Sequence, residues 1–299
     1  MVSSYLSAAR EGRHETWRYI ATLALVIWLF ISVSFGASLV AVILTGTTDL
    51  NAFPPLLLLI LAMLPFPLGG LLGLVIGLRL FHRRSLLSLI NPAGRVRWAF
   101  LWRSFGLWLL LCALSDLILW LINPTNYTWA ADWSRFLPYA LLAILLIPFQ
   151  TSTEELIFRG YLTQWIGRSR LGFWAALVLP NLIFALLHGL NPEVQTYGAW
   201  LTLPLYFGIG LVLSWVTLQS GGLEYALGMH AANNFYAALL VTFPASALPS
   251  PALVYMRKYD PVIGLISFII MASVYLFILS RRSDISIQTT ESTHTGRAK

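Results

Sequence analysis

Charge is the scarcest commodity in this sequence. Only 10% of its 299 residues are Asp, Glu, Lys or Arg, while 58% are hydrophobic. A water-soluble domain carries about 25% charged residues, because its surface must face water. That shortage excludes a soluble globule of this size. Cysteine is almost missing: Cys112 stands alone inside an apolar run, which excludes an intrachain disulfide framework. A His-Glu-x-x-His zinc helix is absent as well. The first apolar stretch exceeds the roughly 7–15 residues of a signal-peptide core, so it reads as a true span.

What is present is a series of long apolar runs. Eight of them cover about 19–45, 54–80, 99–122, 136–165, 172–190, 199–219, 223–243 and 262–280. A bilayer core takes about 20 apolar residues per helix, and the runs lack the alternation of a barrel strand. The expected fold is therefore an all-α polytopic membrane protein, a bundle of about eight transmembrane helices over residues 19–280. Residues 1–18 form a cytoplasmic N-terminal segment, and the Ser/Thr-rich stretch 281–299 reads as a disordered cytoplasmic tail.

The net charge of +7 is distributed unevenly. With a cytoplasmic N-terminus, the inner pieces hold 15 Lys and Arg residues, and the outer loops hold Arg135, Arg257 and Lys258. The remaining one, Arg159, lies within a span. This asymmetry follows the positive-inside rule, so the charge orients the chain in its bilayer and does not indicate nucleic acid. Both termini are expected in the cytoplasm, with the plasma membrane as the location in a bacterium. Trp129, Trp133 and Tyr139 read as interfacial aromatics beside an outer loop.

The second span has two marks. Gly69, Gly73 and Gly77 repeat every four residues and permit close packing, inside the bundle or across a dimer. Pro65 and Pro67 are expected to kink or break the helix. The basic, partly apolar stretch from Phe81 to Trp98 reads either as a helix on the membrane surface or as an ordinary loop.

Ionisable groups within hydrocarbon cost roughly 2.5–3.5 kcal/mol each on insertion scales. Six are assigned to spans: Asp116, Glu154, Glu155, Arg159, His188 and His230. Five of these fall in spans four, five and seven. Glu155 and Arg159 are four apart and share a helix face, so they can pair. Glu154 is rotated about 100° away and has no local partner. A carboxylate without a cationic neighbour suits a general base. Phe184 and His188 share a face, which lets the ring fix the imidazole. His230 and Asn234 also share one, with Asn233 turned aside. Depths reckoned at about 1.5 Å per residue allow all these groups to meet in one pocket nearer the cytoplasmic side.

Glu154-Glu155-x-x-x-Arg159, Phe184-x-x-x-His188 and His230-x-x-x-Asn234, in that order, resemble the three motifs of the CPBP family, the CAAX-protease-like or Abi family. Phe158-Arg159-Gly160-Tyr161 matches too, and the resemblance covers about residues 136–243. It implies an eight-helix intramembrane endopeptidase acting on membrane-associated proteins, prenylated CAAX-type or leader-bearing. By that analogy Glu154 and His188 activate water, and His230 and Asn234 stabilise the oxyanion. Glu155, Arg159 and Phe184 support the site. No cofactor is expected. Three alternatives stand beside this one. A zinc enzyme would use Glu154, His188 and His230 as ligands. A non-catalytic scaffold or immunity protein would keep the motifs for stability. A transporter would use Asp116 in a proton relay.

Overall fold

The structure, a computed structural model, describes residues 4–7, 12–169 and 171–281. The N-terminal residues 1–3 and 8–11, Arg170 and the tail from Arg282 onward lie outside the described residues. Among the described residues eight helical rods make the body: α1 (Thr16–Thr45), α2 (Pro55–His82), α3 (Trp98–Ile122) and α4 (Trp133–Gly167), followed by α5 (Gly172–Leu190), α6 (Ala199–Ser220), α7 (Glu224–Phe235) and α8 (Pro261–Ser280). Seven of them are long and apolar enough to cross a bilayer. The chain is an integral, multi-pass, all-α membrane protein.

The eighth rod corrects the expectation of eight apolar spans. α7 has only 12 residues and continues into a π-helical turn, Tyr236–Leu240. Residues 224–230 are all buried. Protein surrounds this helix where lipid surrounds the others, so it can carry Glu224, His230, Asn233 and Asn234. α1 is the opposite case, burying only Tyr19, Thr22, Val26 and Ala41 and turning Trp28, Phe35 and Leu44 outward.

Local chemistry explains the helix limits. Asp132 accepts from the backbone N–H of Ser134 at the start of α4, and Asp260 accepts from Val262 and Ile263 at the start of α8. Both satisfy amides that a helix start leaves unpaired. Pro65 and Pro67 do not break the rod, which runs on to His82, but α2 opens into a π-helical stretch, Phe66–Leu71, where Pro67 cannot donate.

The glycine face of α2 packs inside the bundle. A β-carbon at Gly73 would lie 2.9 Å from Val26 Cα, and Gly69 and Gly77 meet Phe30 and Thr22 in the same way. α7 packs chiefly against α3, and there Gly228 is so close that a β-carbon would fall 2.1 Å from the Leu101 carbonyl oxygen.

The stretch between α2 and α3 is a loop holding one helical turn, Leu87–Ile90, and it is tucked inward. Leu89 is fully buried, and the Tyr5 hydroxyl donates to its carbonyl. At the base of this loop Arg97 grips Glu224 with Nε at 2.9 Å and Nη2 at 2.6 Å, while Asn91 donates to the same carboxylate at 2.8 Å. The start of α7 is thereby fastened.

Two features depart from the sequence reading. A small three-stranded sheet joins the loops after α3 and α7: Tyr127–Trp129 pairs antiparallel with Val254–Met256, which pairs parallel with Val241–Thr242. Tyr139 is buried at 1% exposure and packs with Leu59 and Met63 of α2, so it is a core residue and not an interfacial one. Trp129 and Trp133 are exposed as expected.

Candidate active site

α4 carries the Glu pair at the point where it passes from α-helical to π-helical geometry, after Glu155. Consecutive residues on a helix diverge by about 100°, and the two carboxylates accordingly face different surroundings. Glu154 lines a cavity of about 1090 Å³; Glu155 and Arg159 stand behind its wall. Both are completely buried, and Arg159 Nη1 donates to Glu155 Oε1 at 2.9 Å, the helical-turn pairing expected from their spacing. The guanidinium also lies over the Phe184 ring, 4.3 Å from its centroid. Gly210 of α6 leaves room for it, since a β-carbon there would come within 3.0 Å of Arg159 Nη2.

α7 brings His230 between the two carboxylates. Its Nδ1 donates to Glu155 Oε1 at 2.6 Å, and its Nε2 lies 3.5 Å from Glu154 Oε2. The second contact does not make a hydrogen bond, and Glu154 Oε2 is left without a hydrogen-bond partner. The ion-pair neighbour of Glu154 is thus His230, across the helix interface. Along its own helix Glu154 has no ion-pair partner, as its place on that helix predicts.

α5 ends in a 3₁₀ turn that starts at His188. The imidazole Nδ1 is 2.7 Å from the Phe184 carbonyl oxygen. A carbonyl can only accept, so Nδ1 carries a proton and donates it, which leaves Nε2 without a partner of its own. The Phe184 ring lies against the imidazole at 4.3 Å, and Tyr206 of α6 covers it at 4.2 Å with a 30° tilt. His188 lines the same cavity as Glu154 and His230.

Asn234 completes the set, one helical turn beyond His230. It donates to Gln150 Oε1 at 2.9 Å, which leaves its second amide proton for another acceptor. Asn233, expected to turn aside, lines the same cavity: its side-chain oxygen accepts from Trp108 Nε1 at 3.3 Å and its amide donates to Asn234 Oδ1 at 3.3 Å. The four residues Glu154, His188, His230 and Asn234 therefore face one cavity, with Phe184 also on its wall and Glu155 and Arg159 packed behind.

The sequence reading passed over Gln150, Glu193, Tyr206 and Glu224. Glu193 is buried near Tyr206 on the cavity wall. Gln150 lies one turn before Glu154 on the same face of α4, and that spacing was the available signal. Asp116 lies in the cavity wall apart from the cluster and accepts from Tyr127 at 3.0 Å.

The zinc alternative can be tested on the donor set. Among the described residues, no three His, Cys, Asp or Glu side chains are grouped so as to hold a metal ion. Glu154, His188 and His230 share the cavity wall without converging as ligands.

The family model for type II CAAX prenyl endopeptidase Rce1-like proteins matches residues 132–236, a stretch that includes every residue of this cluster. The uncharacterized protein YyaK of Bacillus subtilis (strain 168) is 30% identical over 263 residues, covering 84% of this chain and 87% of that protein. No solved structure matches the chain.

Proposed function

The chain belongs to the type II CAAX prenyl endopeptidase Rce1-like family, and from that premise we propose that it is an intramembrane endopeptidase. Its substrates are membrane-associated proteins, prenylated at a CAAX-type end or bearing a leader. One observation carries the reading: a Glu154 oxygen that makes no hydrogen bond and the second ring nitrogen of His188 belong to residues that face one cavity within the membrane-spanning bundle.

In the proposed reaction a water molecule enters between Glu154 and His188. Glu154 takes a proton as the water oxygen bonds to the scissile carbonyl carbon. The carbonyl oxygen becomes an oxyanion, held by His230 Nε2 and the free Asn234 amide proton. Since His230 Nδ1 already donates to Glu155, donation at Nε2 uses the ring with a proton on each nitrogen. The carbon–nitrogen bond then breaks, and the proton on Glu154 passes to the leaving amine. Glu155 and Arg159 keep His230 in place from behind. The apolar part of the cavity wall, including Phe30 and Phe66, suits a lipid-bearing or hydrophobic segment.

The proposal keeps the reaction free of metal, because Asn234 is a better oxyanion donor than a zinc ligand. Cleavage of prenylated and leader-bearing peptides in proteoliposomes, with and without Glu154→Gln, tests the function. Equal cleavage by the two proteins sinks it. Cleavage that stops on exhaustive chelation and returns with zinc, alongside stoichiometric zinc in the purified protein, replaces the metal-free version.

A further inference from the structure

Beyond the motif residues, the turn that carries His188 builds its own support. After the 3₁₀ turn His188–Leu190, Asn191 is extended, with φ −65° and ψ 147°, and Pro192 opens the short helix Pro192–Tyr197. This folds the chain back, so that Asn191 and Glu193 meet Tyr206 of α6. The Tyr206 hydroxyl donates to Glu193 Oε1, and Asn191 Nδ2 reaches the Tyr206 oxygen at 2.9 Å and Glu193 Oε1 at 3.3 Å. Glu193 is buried at 8% exposure. Leaving a carboxylate there is costly, and hydrogen bonds from Tyr206 and Asn191 offset part of that cost.

We infer that Glu193 and Asn191 are positioning residues that set the imidazole of His188 through the ring of Tyr206. The imidazole has one hydrogen bond, from Nδ1 to the Phe184 carbonyl, and a single bond leaves the ring free to rotate about it. Phe184 on one element and Tyr206 on another close against the imidazole and remove that freedom. Phe184 is itself fixed by burial and by Arg159. Tyr206 is only half-buried, so its plane depends on what holds its hydroxyl. Glu193 and Asn191 hold it, and they belong to the same turn as the histidine they orient. The aim of His188 Nε2 into the cavity is therefore set by Phe184, Tyr206, Asn191 and Glu193, with Arg159 behind Phe184. This inference rests on the reading of His188 as a water-activating group, yet its physical core can be measured without any cleavage.

The measurement is the imidazole resonance of His188 at one fixed pH, in protein carrying ¹³C-labelled histidine and assigned with His188→Ala. Two aromatic faces within about 4.5 Å displace that resonance by ring currents. Glu193→Ala and Asn191→Ala should move or broaden it, while Glu193→Gln, whose amide oxygen still accepts from Tyr206, should restore the wild-type position. In proteoliposomes Glu193→Ala should lower kcat by about 10–100-fold at constant KM, the scale on which misplaced catalytic groups act. Glu193→Gln should recover most of that loss. A resonance and a kcat that stay at wild type in Glu193→Ala overturn the inference. So does an equal loss of folded protein in Glu193→Ala and Glu193→Gln. Wild-type cleavage by His188→Ala sinks the water-activating role of His188 alone, and the resonance still decides the clamp.

Discussion

Glu155 Oε1 receives His230 Nδ1 at 2.6 Å while the same oxygen takes Arg159 Nη1 at 2.9 Å. One buried oxygen thus joins two helices: Arg159 lies one turn further along α4, and His230 comes from α7. Glu154, its neighbour in sequence, faces His230 Nε2 at 3.5 Å from the cavity side without a hydrogen bond. The two carboxylates should therefore fail differently when altered.

Removing Glu155 or Arg159 strands a charge in low dielectric, at a cost of about 3–5 kcal/mol. Glu155→Ala and Arg159→Ala should lower the folded yield and the unfolding temperature in detergent. Glu154→Gln keeps the shape, so it should unfold at the wild-type temperature and lose peptide cleavage. A folded but inactive Glu155→Gln beside a fully active Glu154→Gln would reverse the two assignments.

Asn234 is one of two proposed oxyanion donors, and losing one such donor costs about 10²–10³ in kcat. Asn234→Ala should fall by that factor and retain residual turnover, because His230 remains. Gln150→Ala frees the Asn234 amide to turn, so it should lose less. Single-turnover rates in proteoliposomes compare the two, and a larger loss for Gln150→Ala would contradict the order.

The contact between α1 and α2 has no space for a side chain at Gly73. Gly73→Leu must push Val26 backbone away or separate the helices, and overpacking of this kind costs about 1–3 kcal/mol or more. Thermal unfolding should show a clear loss, whereas Gly36→Leu, where the surroundings are open, should not. Equal stability of the two variants would place the tight contact elsewhere.

Orientation follows from the Lys and Arg asymmetry. In a Cys112→Ala background, a cysteine placed at Thr125 should react with an impermeant maleimide outside intact cells. One placed at Ser169 should react only after lysis. Both positions are exposed, so an inverted pattern would mean an inverted protein.

The sequence showed the helices well because lipid imposes one demand on every span: apolar residues at sufficient length. Their limits fall within a few residues of the structure for the seven rods surrounded by lipid. α7 was placed correctly but read as apolar. Its polar residues face protein, a distinction that hydropathy cannot draw. Glu224 went unnoticed since it follows Gly221 and Gly222, where a charge reads as part of a turn. Its partner Arg97 lies 127 positions away. Glu193, after Asn191-Pro192, reads as the solvated start of a short helix, and only the fold shows it buried. The sheet was invisible because strands of two or three residues have no periodicity to detect. Among the site residues the i, i+4 pairs were legible, since one helix fixes both members. The meeting of His230 with the Glu pair needed α4 and α7 side by side.

The π-helical stretch Leu156–Leu162 gives α4 two registers. Before it, side chains are phased to place Glu154 and Glu155 on the cavity and its wall. After it, Gln164 accepts from Arg84 of the inner loop at 2.8 Å. A π turn accommodates an added residue in a helix. Deleting Ile157 could restore a regular helix without disturbing the Glu pair, but everything beyond would rotate by about 100°. Gln164 would then turn away from Arg84, and Tyr161, which meets His82 at 2.7 Å, would leave its partner. The wide turn acts as a phase adjuster: the chemical end and the anchoring end of one rod can each keep the angle they need, and a change of length at this point would force one of them to give way.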